Sequence, residues 1–354
     1  MRIRQLIAMA AITTVTLAGC TLEGGGGGTP GLERSGDSIA ASIAPDGPFD
    51  EFRESVYGAT EGRTLAYVPG GMGNDAQTQW ADTMKADAEA MGMEFVLRDP
   101  AWDRNKQAQA TETLINQLNE GDVLVLNPAD VTLLSSHVER AAQNGIYTIV
   151  LNQESSYLGD VFIGGDFIEM GRRTAEDLVE VCGPGTSQKV AIIEGDSTGG
   201  IAKLMKEGSA PIFEANPDLE IVSEQNGAFD PKTSYDIMAV TITQHPDLCG
   251  AWVQWDPMAR AAGNAIAEAG KKGQVSIFTY DAVAACDSIQ EGLITASYAD
   301  SRTNDGEIIV ALATMLIQSG VQPGAQHFGY FSPTQRIDSS NADQDGLCYG
   351  QATS

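Results

Sequence analysis

The chain has 354 residues, a length suited to about two domains. It carries 21 Lys+Arg against 48 Asp+Glu, a formal charge of −27, which excludes binding led by phosphate backbones or anionic lipid surfaces. Hydrophobic residues make up 42% of it, enough to build a core and too many for a disordered acidic tail.

In chain order the first feature is a processing signal. Arg2 and Arg4 precede an apolar stretch at 6–17, too short to read first as a spanning helix. The stretch ends in Leu17-Ala18-Gly19-Cys20, which resembles the lipobox of bacterial lipoproteins, so residues 1–20 read as a signal peptide with Cys20 as the lipid acceptor. Residues 21–61, opening on the glycine run 24–28 and rich in Gly, Ser, Pro and acid, read as a flexible linker.

From there short apolar runs alternate with longer amphipathic ones. Residues 65–68, 94–97, 123–126 and 148–151 read as strands, with helices over 76–91, 105–119 and 132–143 between them. Gly92, Gly121 and Gly145 stand where helices close. The pattern then repeats. Strands at 190–193, 219–223, 251–255, 275–280 and 294–299 alternate with a helix reaching 213 and helices over 232–244, 258–269 and 283–290. A helix over 304–319 follows. Continuous apolar strands are what a parallel sheet covered on both faces demands. The fold class is α/β: two doubly wound parallel-sheet, Rossmann-like lobes with a cleft between them. Ligands of such sheets bind beyond the carboxyl ends of the strands.

The residues after each strand therefore matter most. The first strand is followed by Gly70-Gly71-Met72-Gly73-Asn74-Asp75-Ala76-Gln77, which lacks the spacing of a phosphate-cradling loop and instead turns Asn74 and Gln77 toward the cleft. Asn127-Pro128-Ala129-Asp130 follows the third strand and Asn152-Gln153-Glu154 the fourth. In the second lobe the strand ends carry Phe229-Asp230, Trp255-Asp256, Tyr280-Asp281 and Asp300. Amides, carboxylates and large aromatics suit a polyhydroxylated ring: the polar groups match vicinal hydroxyls and the aromatic faces cover C–H bonds. For Asp130, Asp230 and Asp256 a helix-capping role is an equal alternative.

In this order, behind a lipobox, these segments resemble the ribose/galactose-type periplasmic binding proteins, the type I substrate-binding components of ABC importers. The resemblance runs from Arg63 to about Ile337. It implies two lobes joined by a three-segment hinge near Gly164-Gly165-Asp166, Ala299-Asp300 and Ser332-Pro333. The first lobe would be 62–165 plus 300–331, and the second 166–299 plus 332–348. It implies ligand contacts at Asn74, Gln77, Asn152, Gln153, Met205, Phe229, Trp255, Asp281 and Asp300. The chain departs from the family pattern at several of these. Asn152-Gln153 replaces an Asp-Arg pair, Met205 an Arg, and Trp255 an Asn, while Ala76 and Gln77 stand where aromatics are common. The cationic clamps are missing, which points away from ribose itself and leaves a different monosaccharide, a polyol, or a cationic or aromatic small molecule.

Cys182, Cys249, Cys286 and Cys348 form an even set in an exported chain and favour two disulfides, with three connectivities open. In the strand plan that the resemblance implies, Cys182 and Cys249 lie at the amino ends of neighbouring strands, which expects them to pair and leaves Cys286 with Cys348. No C-x-x-C pair is present and the three histidines are scattered, so neither a metal nor a cofactor is expected. The expected role is capture of a small polar ligand outside the cytoplasm and delivery to an ABC permease. The chain would be a monomer held to the membrane by lipid only, with no nucleic-acid partner and no catalytic residue. The alternatives are a ligand-sensing module of the same fold and a glycoside-acting enzyme built on Asp281 and Asp300.

Overall fold

The computed structural model describes residues 58–73, 75–197, 199–300, 304–344 and 346–349. The signal peptide, Cys20 and most of the linker lie outside the described residues, as does Asn74. The folded part begins slightly before the expected linker boundary at 61. Thr60 is buried and its hydroxyl donates to the Met91 carbonyl, while the Gly62 N–H donates to Gly92.

The first lobe runs β1 (Thr64–Val68), α1 (Asp75–Ala90), β2 (Glu94–Leu97), α2 (Arg104–Gln117), β3 (Val123–Leu126), α3 (Ser135–Gln143), β4 (Tyr147–Asn152) and β5 (Val161–Gly165). The chain continues through α4 (Phe167–Val181), β6 (Lys189–Glu194), α5 (Gly200–Ala215), β7 (Glu220–Asn226), α6 (Pro231–Gln244), β8 (Gly250–Val253), α7 (Asp256–Glu268), β9 (Ser276–Tyr280), α8 (Ala285–Gln290) and β10 (Ala296–Asp300). It ends with α9 (Asp305–Ser319), β11 (Phe328–Ser332) and β12 (Thr334–Asp338).

Two six-stranded sheets result, ordered β11-β5-β4-β3-β1-β2 and β12-β10-β9-β8-β6-β7. Every pairing is parallel except β10 with β12. The apolar runs explain the layering: all four residues of β3 are fully buried, because helices cover both faces of the sheet. The chain passes from one sheet to the other between β5 and α4, between β10 and α9, and between β11 and β12, where Pro333 alone separates the two strands.

Three strands were not expected from the sequence. β5 carries two glycines, and β11 and β12 pair with residues far away in the chain, Phe328 with Val161 and Thr334 with Asp300. Their hydrogen bonds come from tertiary pairing, which a local apolar pattern does not report. The expected strand over 251–255 is also shorter. β8 stops at Val253, because Trp255 takes a left-handed backbone (φ 79°) and opens α7 instead. The helix expected from 132 begins at Ser135, since Asp130 Oδ1 accepts the Thr132 and Leu133 N–H groups and holds a turn there.

Both disulfides join the pairs expected from the strand plan, Cys182 with Cys249 and Cys286 with Cys348. The second closes a loop across 62 residues and pins the C-terminal tail. The Tyr349 N–H then donates to Ala282 of the second lobe, and the Tyr349 ring meets Trp80 of α1 edge to face at 6.4 Å. The tail thus contacts both lobes. Replacing Cys286 and Cys348 together by Ser is expected to lower unfolding stability by about 4 kcal/mol, from loop-closure entropy at this separation. Urea unfolding checks this, and a loss under about 1 kcal/mol would show that the tail does not constrain the unfolded chain.

Candidate functional site

The carboxyl ends of the strands carry an unusual set of backbones. Asn152, Phe229, Trp255 and Asp281 all have positive φ, at 71°, 52°, 79° and 89°. Each such non-glycine residue costs on the order of 1–3 kcal/mol and survives only where the surroundings impose it. Hydrogen bonds do so at Asp281. Its N–H donates to the Tyr298 carbonyl, its own carbonyl accepts from Ser297 Oγ, and its Oδ1 accepts the Ala282 N–H at 2.9 Å.

In the second sheet β10, β9, β8 and β6 are neighbours, so Asp300, Asp281, Trp255 and the Gly195 turn lie side by side along one edge. The Phe229 and Trp255 rings meet edge to face at 5.8 Å. Phe229 is 42% exposed and lies over Gly195, where a Cβ would come 2.5 Å from its Cζ. Asp300, the last residue of β10, is buried with its carboxylate against the first lobe: a Cβ on Gly165 would fall 2.6 Å from Asp300 Oδ2. Gly164 pairs with Asn152 in the neighbouring strand, and a Cβ there would fall 2.6 Å from the Asn152 carbonyl. Two adjacent glycines thus let Asn152 of the first lobe approach the same crossing as Asp300, which ends β10 of the second sheet instead of opening the first lobe's 300–331 segment as expected. Among the described residues the buried Asn152 Oδ1 has no hydrogen-bond partner, an acceptor that suits a hydroxyl.

The lobes also touch at the mouth. Arg104, at the start of α2, lies 3.2 Å from Asp130 Oδ2 of its own lobe and 3.6 Å from Asp196 Oδ2 of the other. Gly200, at the start of α5, packs on Val131 and approaches Gln153 and the Glu154 carbonyl. Burial, reinforced by Asp166 and by Glu207 of α5, holds the Glu154 carboxyl above the usual range.

Other expected residues fall differently. Gln153 is half-buried and its Nε2 donates to the Pro128 carbonyl at 2.8 Å, so it braces two first-lobe loops. Gln77 is buried in the first turn of α1. Met205 is not at a strand end. It is fully buried on the face of α5 that packs against α4, where its backbone leaves no room for a side chain at Gly171. The cation next to it, Lys206, is held at 2.6 Å by both Glu194 and Glu224. Asp230 caps α6 by accepting the Thr233 N–H, the capping alternative.

Gln107 was not anticipated. Fully buried on α2, it donates through Nε2 to the carbonyls of Pro69 (2.8 Å) and Asn127 (2.7 Å), and its Oε1 accepts the Ala129 N–H (2.9 Å). One amide thereby locks the loops after β1 and β3. A lone Gln in an amphipathic run carries no signal that separates such a strut from a solvated side chain.

Asp256, the first residue of α7, is fully buried. Its Oδ2 accepts the Ala284 N–H at 2.7 Å, while Oδ1 has no hydrogen-bond partner among the described residues. Burial, and then the nearby Asp281 carboxyl, push its pKa well above the usual range. The folded chain therefore holds a proton that the unfolded chain releases above the ordinary carboxylate pKa, so stability falls as pH rises toward the folded value. Asp256→Asn is expected to flatten that slope. Urea midpoints at pH 5 and pH 8 check it, and equal pH dependence in both proteins would contradict it.

Among the described residues no cluster of His, Cys, Asp and Glu could hold a metal ion, and no helix is long and apolar enough to cross a membrane. A hollow of about 740 Å³ lies between α3, Tyr157-Leu158 and the 323–327 segment. It borders Thr148 and Asp160, at the amino ends of β4 and β5, away from the strand-end set.

The comparisons with known proteins agree with this fold. A family model described as periplasmic binding protein domain matches residues 65–320. The ribose import binding protein RbsB of Bacillus subtilis (strain 168) is 29% identical over 235 residues, covering 65% of this chain and 72% of that protein. The D-allose-binding periplasmic protein of Escherichia coli (strain K12) is 24% identical over 255 residues, covering 68% and 81%. Among solved structures, one from Mycobacterium smegmatis in complex with beta-D-fucofuranose superposes with a TM-score of 0.69 at 23% identity, covering 79% of this chain and 92% of that one. A solute-binding protein from Actinobacillus succinogenes with bound D-allose gives 0.70 at 18% identity, covering 79% and 99%. At these identities the solved structures speak to the fold alone.

Proposed function

The chain belongs to the periplasmic binding protein domain family, and from that premise we propose that it captures a monosaccharide or related polyol between its lobes and delivers it to an ABC importer permease. The observation that carries this reading is the set of strained, chemically matched residues at the strand ends: Asn152, Phe229, Trp255 and Asp281, with Asp300 at the crossing. Carboxylates and the Asn152 amide oxygen, without a partner among the described residues, accept hydrogen bonds from hydroxyls, and the Phe229–Trp255 pair offers an apolar face to ring C–H groups. The sugar names of the relatives from Bacillus subtilis and Escherichia coli support an aldose. Asn74 and Gln77 remain part of the proposed contact set through the family pattern, Asn74 from outside the described residues. Met205 is assigned to packing and Gln153 to bracing.

Ligand contacts drawn from both lobes favour the closed arrangement, because only there are both sets made at once. The three crossings between sheets are the proposed hinge. The extracytoplasmic location follows from the family, and we assign membrane attachment to lipid on Cys20. A Cys20→Ala chain is then expected to leave the membrane fraction; retention there would contradict the anchor.

A thermal-shift screen against D-ribose, D-allose, D-arabinose and polyols tests the reading, since binding to the folded state raises the melting temperature by mass action. At least one member is expected to raise it and to be recovered unchanged. Hydrolysis of a matching glycoside would favour the enzyme alternative, and no shift with any member would contradict sugar capture.

A further inference from the structure

Trp102 lies in the turn between β2 and α2 and is 58% exposed, the largest aromatic side chain left open at this end of the first sheet. Its turn repeats, feature for feature, the turn that presents Phe229 between β7 and α6. The local sequences are Ala101-Trp102-Asp103 and Ala228-Phe229-Asp230. Both Ala and both aromatic residues are left-handed, with φ of 53° and 63° in the first lobe and 55° and 52° in the second. In both turns a side chain two residues before the Ala fixes its N–H: Asp99 Oδ1 accepts from Ala101 at 2.7 Å, and Asn226 Oδ1 from Ala228 at 2.9 Å. In both the aromatic N–H donates to a glycine after the lobe's first strand, Trp102 to the Gly70 carbonyl at 3.1 Å and Phe229 to the Gly195 carbonyl at 2.8 Å. In both the ring lies over a glycine whose missing side chain leaves it room: a Cβ on Gly71 would fall 2.6 Å from the indole. Both aspartates then cap the next helix.

The two turns also face one gap. Arg104, two residues past Trp102, reaches Asp196 at 3.6 Å, and Asp196 directly follows the Gly195 that underlies Phe229. The ion pair thus links the segments that carry the two rings. The Trp102 indole is fixed in orientation by Nε1 donating to the Met72 carbonyl at 3.0 Å, with one face on Gly71.

We infer that Trp102 is the first-lobe aromatic platform of the cleft, the pseudo-twofold counterpart of Phe229, and that it covers the apolar face of a sugar ring from the lobe opposite the Phe229–Trp255 pair. This rests on the sugar-capture reading. Strained left-handed backbone at an exposed Trp is costly to stability, and strain of this kind clusters at ligand-binding sites. A ring clamped from both lobes gives preference for pyranoses and furanoses over open-chain polyols, which present no flat C–H face.

Trp102→Gly separates ligand contact from packing, because glycine relieves the left-handed strain while deleting the ring. The full chain is titrated with whichever of D-ribose, D-allose and D-arabinose gives the largest shift. The expected result is an unligated melting temperature equal to or above that of the unsubstituted protein, at least tenfold weaker binding, and recovery in Trp102→Phe. Acrylamide quenching of the Trp102 contribution, taken as the difference between the unsubstituted protein and Trp102→Phe, is expected to fall on sugar addition. Binding within twofold in Trp102→Gly would overturn the inference while leaving sugar capture intact. A melting temperature several degrees lower in the same variant would mark the indole as packing and would also overturn it. Absence of binding by the unsubstituted protein would instead defeat the sugar-capture reading itself, and this inference with it.

Discussion

In an Asp281→Ala protein the sugar-induced rise in melting temperature is expected to vanish. Asp281 is the most constrained residue of the cleft edge, with φ 89° and its N–H, carbonyl and Oδ1 all hydrogen-bonded inside the second lobe. Those bonds fix Asp281 directly after the last residue of β9. Hydrogen bonds to a charged acceptor contribute about 1.5–3 kcal/mol each, so losing the pair that a carboxylate offers to vicinal hydroxyls weakens binding by at least about 100-fold. Asp281→Asn keeps the shape and loses the charge, and an intermediate loss is expected. Affinity within threefold of the unsubstituted protein in Asp281→Ala, measured by calorimetric titration, would move the hydroxyl-binding carboxylate elsewhere.

A single methyl group at Gly208 is expected to be among the most damaging changes in the second lobe. α4 and α5 cross with Gly208 against the Ile168 carbonyl and Gly171 against the Met205 carbonyl, each too close for a Cβ. Gly→Ala within a helix gains about 1 kcal/mol of propensity. Here the methyl would strike backbone, which no rotamer change relieves, and overpacking of this kind costs typically about 1–3 kcal/mol and sometimes more. The clash prevails, and Gly208→Ala should lower the urea midpoint. It should also weaken sugar binding, because the helices must separate and α5 begins at Gly200, the residue that meets Val131 at the cleft mouth. A midpoint equal to or above that of the unsubstituted protein would show that the helices yield without cost.

The alternation of buried strand and amphipathic helix was legible along most of the chain, because each element is a local run with its own period. β11 and β12 were not, since Phe328-Gly329-Tyr330-Phe331 is largely exposed and takes its partner from residues 161–165. At the site, Asp281 and Phe229 were legible as polar and aromatic residues after strands. Met205 was misplaced because the residue standing where the family carries a cation turns its side chain into the α4 contact. Trp102 was not legible by itself, because a single aromatic after β2 carries no local sign of whether its ring is open or buried. The signal was in the chain all along, as the repeated Ala-aromatic-Asp at 101–103 and 228–230. Reading one lobe against the other would have exposed it, where reading each strand end alone did not.

The central claim is that both lobes shut on one sugar. Thr132, exposed beside the Val131 contact, and Lys203, exposed on α5, stand on opposite sides of the mouth. Spin labels at these two positions report the gap directly. Adding the sugar that gives the largest thermal shift should convert a broad distance distribution into a single shorter one, with a midpoint that tracks the binding curve. Saturating sugar that leaves the distribution unchanged would contradict capture by closure.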